Sequence, residues 1–99
     1  MPILEVSITK NSNQFVPSQD PVTLSKQHGH SVQWHNDTQE QITINFGTAT
    51  PFAKQMNPYK IDPGKSGHSG PIEGAVGTWK YNIEGASGDI TDPEIIIQE

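Results

Sequence analysis

The sequence predicts an all-β sandwich of two sheets and about seven or eight strands, and three observations lead there. Apolar residues recur at every second position, turn-forming residues interrupt them at short intervals, and no stretch sustains a helical period. Such alternation buries one face of a strand and leaves the other to solvent. The chain has 99 residues, which makes one domain over 1–99. A chain of this length can close a single core with no disulfide or metal to brace it.

The strands follow in order. Leu4, Val6 and Ile8 alternate with Glu5, Ser7 and Thr9, and Val22 and Leu24 come after Pro21. Val32 and Trp34 alternate with Ser31, Gln33 and His35; Ile42, Ile44 and Phe46 alternate with Gln41, Thr43 and Asn45. Trp79, Tyr81 and Ile83 alternate with Thr78, Lys80 and Asn82. The unbroken run Ile95, Ile96 and Ile97 predicts a strand covered on both faces. Trp34, Trp79 and Tyr81 stand at inward parity, where large aromatics fill a two-sheet core. Turn chemistry separates these runs at residues 11–13, 27–29, 36–38, 62–64 and 85–88 and at Asp92-Pro93. The long gap runs from Gly47 to Pro58. Phe52 and Met56 lie four apart there and would share a face of one helical turn, but an irregular excursion over the sandwich edge is the preferred reading.

Composition excludes several function classes. Six Lys with no Arg against 11 acidic residues give a formal charge of −5, unsuited to a phosphate-reading surface, so neither nucleic acid nor anionic membrane is an expected partner. With no Cys, disulfides, thiolate metal sites and Cys nucleophiles are excluded. No apolar run approaches the ~18 residues of a spanning helix, so no membrane insertion is expected. The opening MPILEVSITK has no basic segment, no continuous apolar stretch and no small-residue cleavage site. The expected compartment is the cytoplasm if Met1 is the native start, and the periplasm or exterior if the sequence is a trimmed mature chain.

Four segments in order resemble the cupredoxins. His28-Gly29-His30-Ser31-Val32-Gln33-Trp34-His35-Asn36-Asp37 is similar to their Gly-led turn feeding a V-x-W-x-N strand. Asp62-Pro63-Gly64-Lys65-Ser66 resembles their Pro-Gly turn, and Gly77-Thr78-Trp79-Lys80-Tyr81 resembles the G-T-Y-x-Y strand that ends at a cysteine ligand in copper-binding members. The closing Asp92-Pro93-Glu94-Ile95-Ile96-Ile97 is similar to the last strand of small single-domain members of the plastocyanin and azurin type. The resemblance implies a Greek-key, cupredoxin-like sandwich over nearly the whole chain.

It also implies a loss. A blue-copper centre needs two imidazoles, a thiolate and usually a weak thioether. The resemblance puts the first imidazole at Gln41 and the thiolate at Ile83, and the following loop, 84–89, supplies neither His nor Met. No cofactor is therefore expected. Within the family arrangement, the strand ending at His35 and a strand beginning near His68 are antiparallel neighbours. His35 and His68 would then share the copper-bearing end, with His28 and His30 at the other. Two imidazoles near Asp37, Glu40 or Asp89 would make a weak Cu(II) or Zn(II) site; the expected state of all four histidines is solvated strand ends with no metal. Glu84, Asp89 and Asp92 lack the dense oxygen pattern of a calcium loop.

Catalysis has little support. There is no G-x-S-x-G, no H-E-x-x-H and no phosphate-cradling glycine loop. Nothing in the sequence places a Ser beside an oriented His, and His68 and Ser69, adjacent on a strand, face opposite sides. The expected function is a copper-free cupredoxin-like domain acting as a binding or assembly module, neither an enzyme nor an electron carrier. Its expected partner is a protein, a second copy included. Contacts would use the loops 36–40 and 84–91, or Phe52 and Met56, which make a partner patch if exposed together and a lid on the core if buried. The alternatives are a weak metal-handling protein using His35 and His68, and a self-associating sandwich whose edge strands, Leu4 to Ile8 and Ile95 to Ile97, add to a neighbour's sheet.

Overall fold

The computed structural model describes residues 3–52 and 57–99. One layer is a sheet in the order β2 (Gln14–Pro17), β1 (Ile3–Asn11), β4 (Ser31–Asn36) and β7 (Ser66–His68). The other layer is two short sheets. One runs β10 (Ile90–Thr91), β9 (Asn82–Gly85), β5 (Ile42–Asn45), β6 (Tyr59–Ile61); the second runs β3 (Val22–Ser25), β11 (Glu94–Gln98), β8 (Gly77–Lys80). The all-β sandwich is as the alternation predicts.

The described residues form eleven strands rather than seven or eight because long strands break where they change partners. Tyr81 alone separates β8 from β9, and its N–H donates to Pro93 O at 3.1 Å as the chain passes from β11 to β5. Likewise β2 pairs with β1 in one layer, and β3, four residues later, pairs with β11 in the other.

The core lies between the layers. Val6, Ile8, Val22, Leu24, Val32, Trp34, Ile42, Ile44, Ile83, Ile95 and Ile97 are buried, as their parity predicts. Each such side chain contributes roughly 1.5 to 3 kcal/mol by leaving water. Trp34 forms the centre, with ring centroids 6.4 Å from Phe46, 6.1 Å from Phe52 and 5.9 Å from Tyr81. Phe52 is thus core, bridged to Ile72 by an isolated β contact, and is not part of a partner patch. Met56 lies outside the described residues. The excursion around Phe52 is pinned at its base by Asn57, whose Oδ1 accepts from Phe46 N–H and whose Nδ2 donates to Gly47 O, both at 2.9 Å.

Three expectations need correction. Trp79 is only half buried, because β8 is an edge strand and the indole N–H turns back to Ala75 O at 3.0 Å. Ile96 faces away from the core between buried Ile95 and Ile97 and is half covered, so β11 is not enclosed on both faces. The strands expected at the edges are interior: β1 lies between β2 and β4, and β11 between β3 and β8. β11 is paired on both sides over Ile95 to Ile97, whereas β1 is paired on both sides only at Ile8, its earlier residues making ladder pairs with β4 alone.

Candidate functional site

One end of the sandwich is closed by the loops 36–41 and 84–91, which meet where Ala86 N–H donates to Gln41 O at 3.0 Å. The first loop is organised by Asn36, which is fully buried. Its Nδ2 donates to Glu40 O and Ile61 O, both at 2.8 Å, and its Oδ1 accepts from Thr38 N–H at 3.0 Å and Thr38 Oγ1 at 2.6 Å. Both donors and both lone pairs of the amide are satisfied.

Held this way, Glu40 meets Lys10. Lys10 Nζ lies 2.7 Å from Glu40 Oε2, 2.9 Å from Asp89 Oδ2 and 3.1 Å from Ser87 Oγ, which engages all three ammonium protons. Ser87 closes the clasp by donating its N–H and Oγ–H to Glu40 Oε1 at 3.0 and 2.8 Å. The Lys10 hydrogen bond, followed by those from Ser87, holds the Glu40 carboxyl down at about 2. Hydrogen bonds to Glu40 and then Asp89 raise the Lys10 ammonium above its ordinary value. Lys10 Nζ also sits 5.1 Å above the Phe15 ring.

The outer face of β1, β4 and β7 carries the two candidate metal-site histidines. The turn at Asp62-Pro63-Gly64 closes at once, with Lys65 N–H donating to Asp62 O at 3.0 Å and Gly64 N–H to Asn36 O at 2.8 Å, so β7 begins at Ser66 and ends at His68. Ser66, not His68, therefore stands opposite His35, and His68 pairs with Gln33. This corrects the expectation that His35 and His68 share the loop end. His35 bridges Glu5 Oε1 at 2.7 Å through Nε2 and Ser66 Oγ at 2.6 Å through Nδ1. His68 contacts Ser31 Oγ at 3.0 Å through Nε2 and accepts Gly70 N–H at 3.3 Å through Nδ1, beside a surface hollow of about 170 Å³. His28 and His30 stack at 5.9 Å before β4 begins, each bonded to Ser25. Among the described residues, no three His, Asp or Glu side chains are grouped to hold a metal ion. Glu40 and Asp89 are bound to Lys10 instead.

No family model and no curated protein matches the chain. Among solved structures, a dithionite-reduced auracyanin from the photosynthetic bacterium Roseiflexus castenholzii is similar, with a TM-score of 0.59 and 15% identity. The match covers 100% of this chain and 98% of that one. The fold is cupredoxin-like.

The residues at the positions that the resemblance assigns to copper do not fit a blue-copper centre. Gln41 is exposed and donates its side-chain amide to Asp62 Oδ1 at 2.8 Å. Ile83 is fully buried in the core, pairs with Ile44, and has no donor atom. With no Cys in the chain, the thiolate on which that centre depends has no source.

Sequence reasoning missed three residues of this arrangement. Lys10 continues the inward row of Leu4, Val6 and Ile8, and a lysine at inward parity is a usable signal for buried or paired charge. Glu5 and Ser66 bear none, since only the register of three strands brings them to His35.

Proposed function

We propose that this chain is a copper-free, cupredoxin-like domain that binds a protein partner through its loop end, without electron transfer or catalysis. The clasp of Lys10, Glu40, Asp89 and Ser87 carries this reading, because it fills the loop end with groups that satisfy one another. Two apolar side chains stay exposed beside it. Ile90 is 60% and Val16 44% exposed, on strands β10 and β2 that are joined where Phe15 N–H donates to Thr91 Oγ1 at 2.9 Å. Asp37 and Glu84 border this end with negative charge, so a complementary partner presents an apolar side chain flanked by basic groups. Phe52, in the core, takes no part.

A photo-cross-linking residue at Ile90, compared with one at exposed Thr23 on β3, tests this in the cell of origin. Discrete adducts at position 90 that disappear on Val16→Ser support the reading; adducts no more frequent than at position 23 remove it. Titration with Cu(II) and Zn(II), followed by the ring NMR signals of the four histidines, tests the competing metal-handling reading. A localised response at His35 and His68 at micromolar metal would favour that reading over this one.

A further inference from the structure

The geometry points to Ser66 as an activated nucleophile that accepts an acyl group from an activated carboxylic ester, with His35 as its general base and Glu5 as the positioning residue. The three residues come from β1, β4 and β7, and the pairing of those strands brings them into line. Asn36 N–H bonds Lys65 O and Ser69 N–H bonds Val32 O, so hydrogen-bonded pairs alternate along β4 and β7 and His35 opposite Ser66 is a non-hydrogen-bonded pair. Side chains approach most closely at such pairs, which explains the 2.6 Å contact.

Proton polarity decides what the contact can do. The Glu5 carboxylate only accepts, so a neutral His35 must carry its proton on Nε2, 2.7 Å away. Nδ1 is then bare and accepts the Ser66 hydroxyl proton. This is the order nucleophile, base, orienting carboxylate, recognised by geometry rather than by sequence position. Ser31 and His68 show the opposite polarity two residues away. Gly70 N–H donates to His68 Nδ1, so the proton of a neutral His68 sits on Nε2 and points at Ser31 Oγ, leaving that serine without a base. Ser66 is exposed, whereas Ser31 is 6% exposed. Ser66 N–H points away from β4 along the free edge of its sheet, where it can donate to a developing oxyanion.

In the step itself, Ser66 Oγ bonds to the ester carbonyl carbon while His35 Nδ1 takes the hydroxyl proton. The carbon–oxygen bond to the leaving group breaks, an alkoxide or phenolate departs, and His35 passes its proton to water. The hollow on this face is lined by Ser31 and His68 and not by Ser66, His35 or Glu5, so the reaction is a slow covalent acylation of one serine, and the proposal is independent of any partner at the loop end.

The test is incubation of the full chain with p-nitrophenyl acetate, followed by peptide mass mapping. A positioned base contributes ~10² to 10⁴ in rate, and on an open face the low end is expected, so Ser66 should be acetylated about a hundredfold faster than exposed Ser12 and Ser18. His35→Gln should erase that preference, Ser66→Ala should remove the adduct from its peptide, and Ser31 should remain unlabelled. Nitrogen-15 shifts of His35 provide a second readout that does not need a variant: the proton belongs on Nε2 in the parent chain, and Glu5→Gln should mix the two tautomers. Labelling of Ser66 no faster than Ser12, preference retained in His35→Gln, or a proton found on Nδ1 would each overturn the proposal.

Discussion

Lys10 Nζ lies 2.7 Å from Glu40 Oε2 and so ties the end of β1 to the loop that follows β4. Because the Lys10 and Ser87 hydrogen bonds hold the Glu40 carboxyl at about 2, against 4.5 for the free group, the folded state binds this proton more weakly than the unfolded chain does. For a depressed carboxyl, the stabilisation is complete above the unfolded value and fades as pH falls through the folded one. Thermal melts should therefore drop as the pH falls from about 4.5 to about 2. Lys10→Met should flatten that slope and move the Glu40 carboxyl titration, read by NMR, up toward 4.5. An unchanged Glu40 titration in Lys10→Met would count against the clasp.

Gly85 allows this clasp to close. A Cβ on it would overlap Glu40 Oε1 and lie 2.5 Å from Phe15 Cζ, beneath the ring over which Lys10 sits. Gly85→Ala should cost about 1 to 3 kcal/mol, the usual range for overpacking. The accompanying sign is specific: amide shifts should spread to Lys10, Glu40 and Ser87, the residues that the displaced Glu40 carboxylate holds.

Tyr81 sets the alkaline limit. Burial is the main cause that pushes its phenol up to about 12, partly offset by the Trp34 hydrogen bond at 3.4 Å. A raised value stabilises the fold fully below the unfolded value of 10.0, and that contribution disappears as pH rises through about 12. At about 1.4 kcal/mol per decade, the full effect is roughly 3 kcal/mol. Tyr81→Phe should remove this alkaline loss, and it should cost about 1 to 3 kcal/mol at neutral pH because the buried Trp34 indole N–H loses its acceptor. Denaturant midpoints measured between neutral pH and pH 11 test both parts.

Much of the fold could be read from the sequence because parity is local. Leu24, Trp34, Ile44 and Ile83 were placed in the core by alternation alone, and they are buried. Phe15 and Ile61 are equally buried but sit in strands of four and three residues, where one inward side chain shows no period. The arrangements at the two candidate sites depend on strand register. Glu5 and His35 were visible as outward residues, but a diagonal contact across parallel β1 and β4, and a partner supplied by β7, cannot be seen before the strands are aligned. The same limit hides that His68 stands opposite Gln33, because β7 begins at Ser66 and ends at His68 rather than beginning near His68.

Asn36, part of the V-x-W-x-N stretch, shows how a loop can depend on one amide. Its two donors serve Glu40 O and Ile61 O, and its oxygen serves Thr38 twice. Asn36→Asp keeps the shape but replaces the NH₂ with an oxygen facing two carbonyls, so both acceptors lose their donor and a charge is buried without a cation. Unpaired buried polar groups cost about 1 to 3 kcal/mol each, and more for a charge. The substitution should therefore destabilise the chain by more than about 3 kcal/mol at neutral pH, and lowering the pH enough to protonate the new carboxyl should recover part of that loss. Asn36→Ala, which buries no charge, should show no such recovery. Urea midpoints of both variants at neutral and mildly acid pH separate the two, and equal acid responses would mean that hydrogen-bond loss alone, not the buried charge, governs this turn.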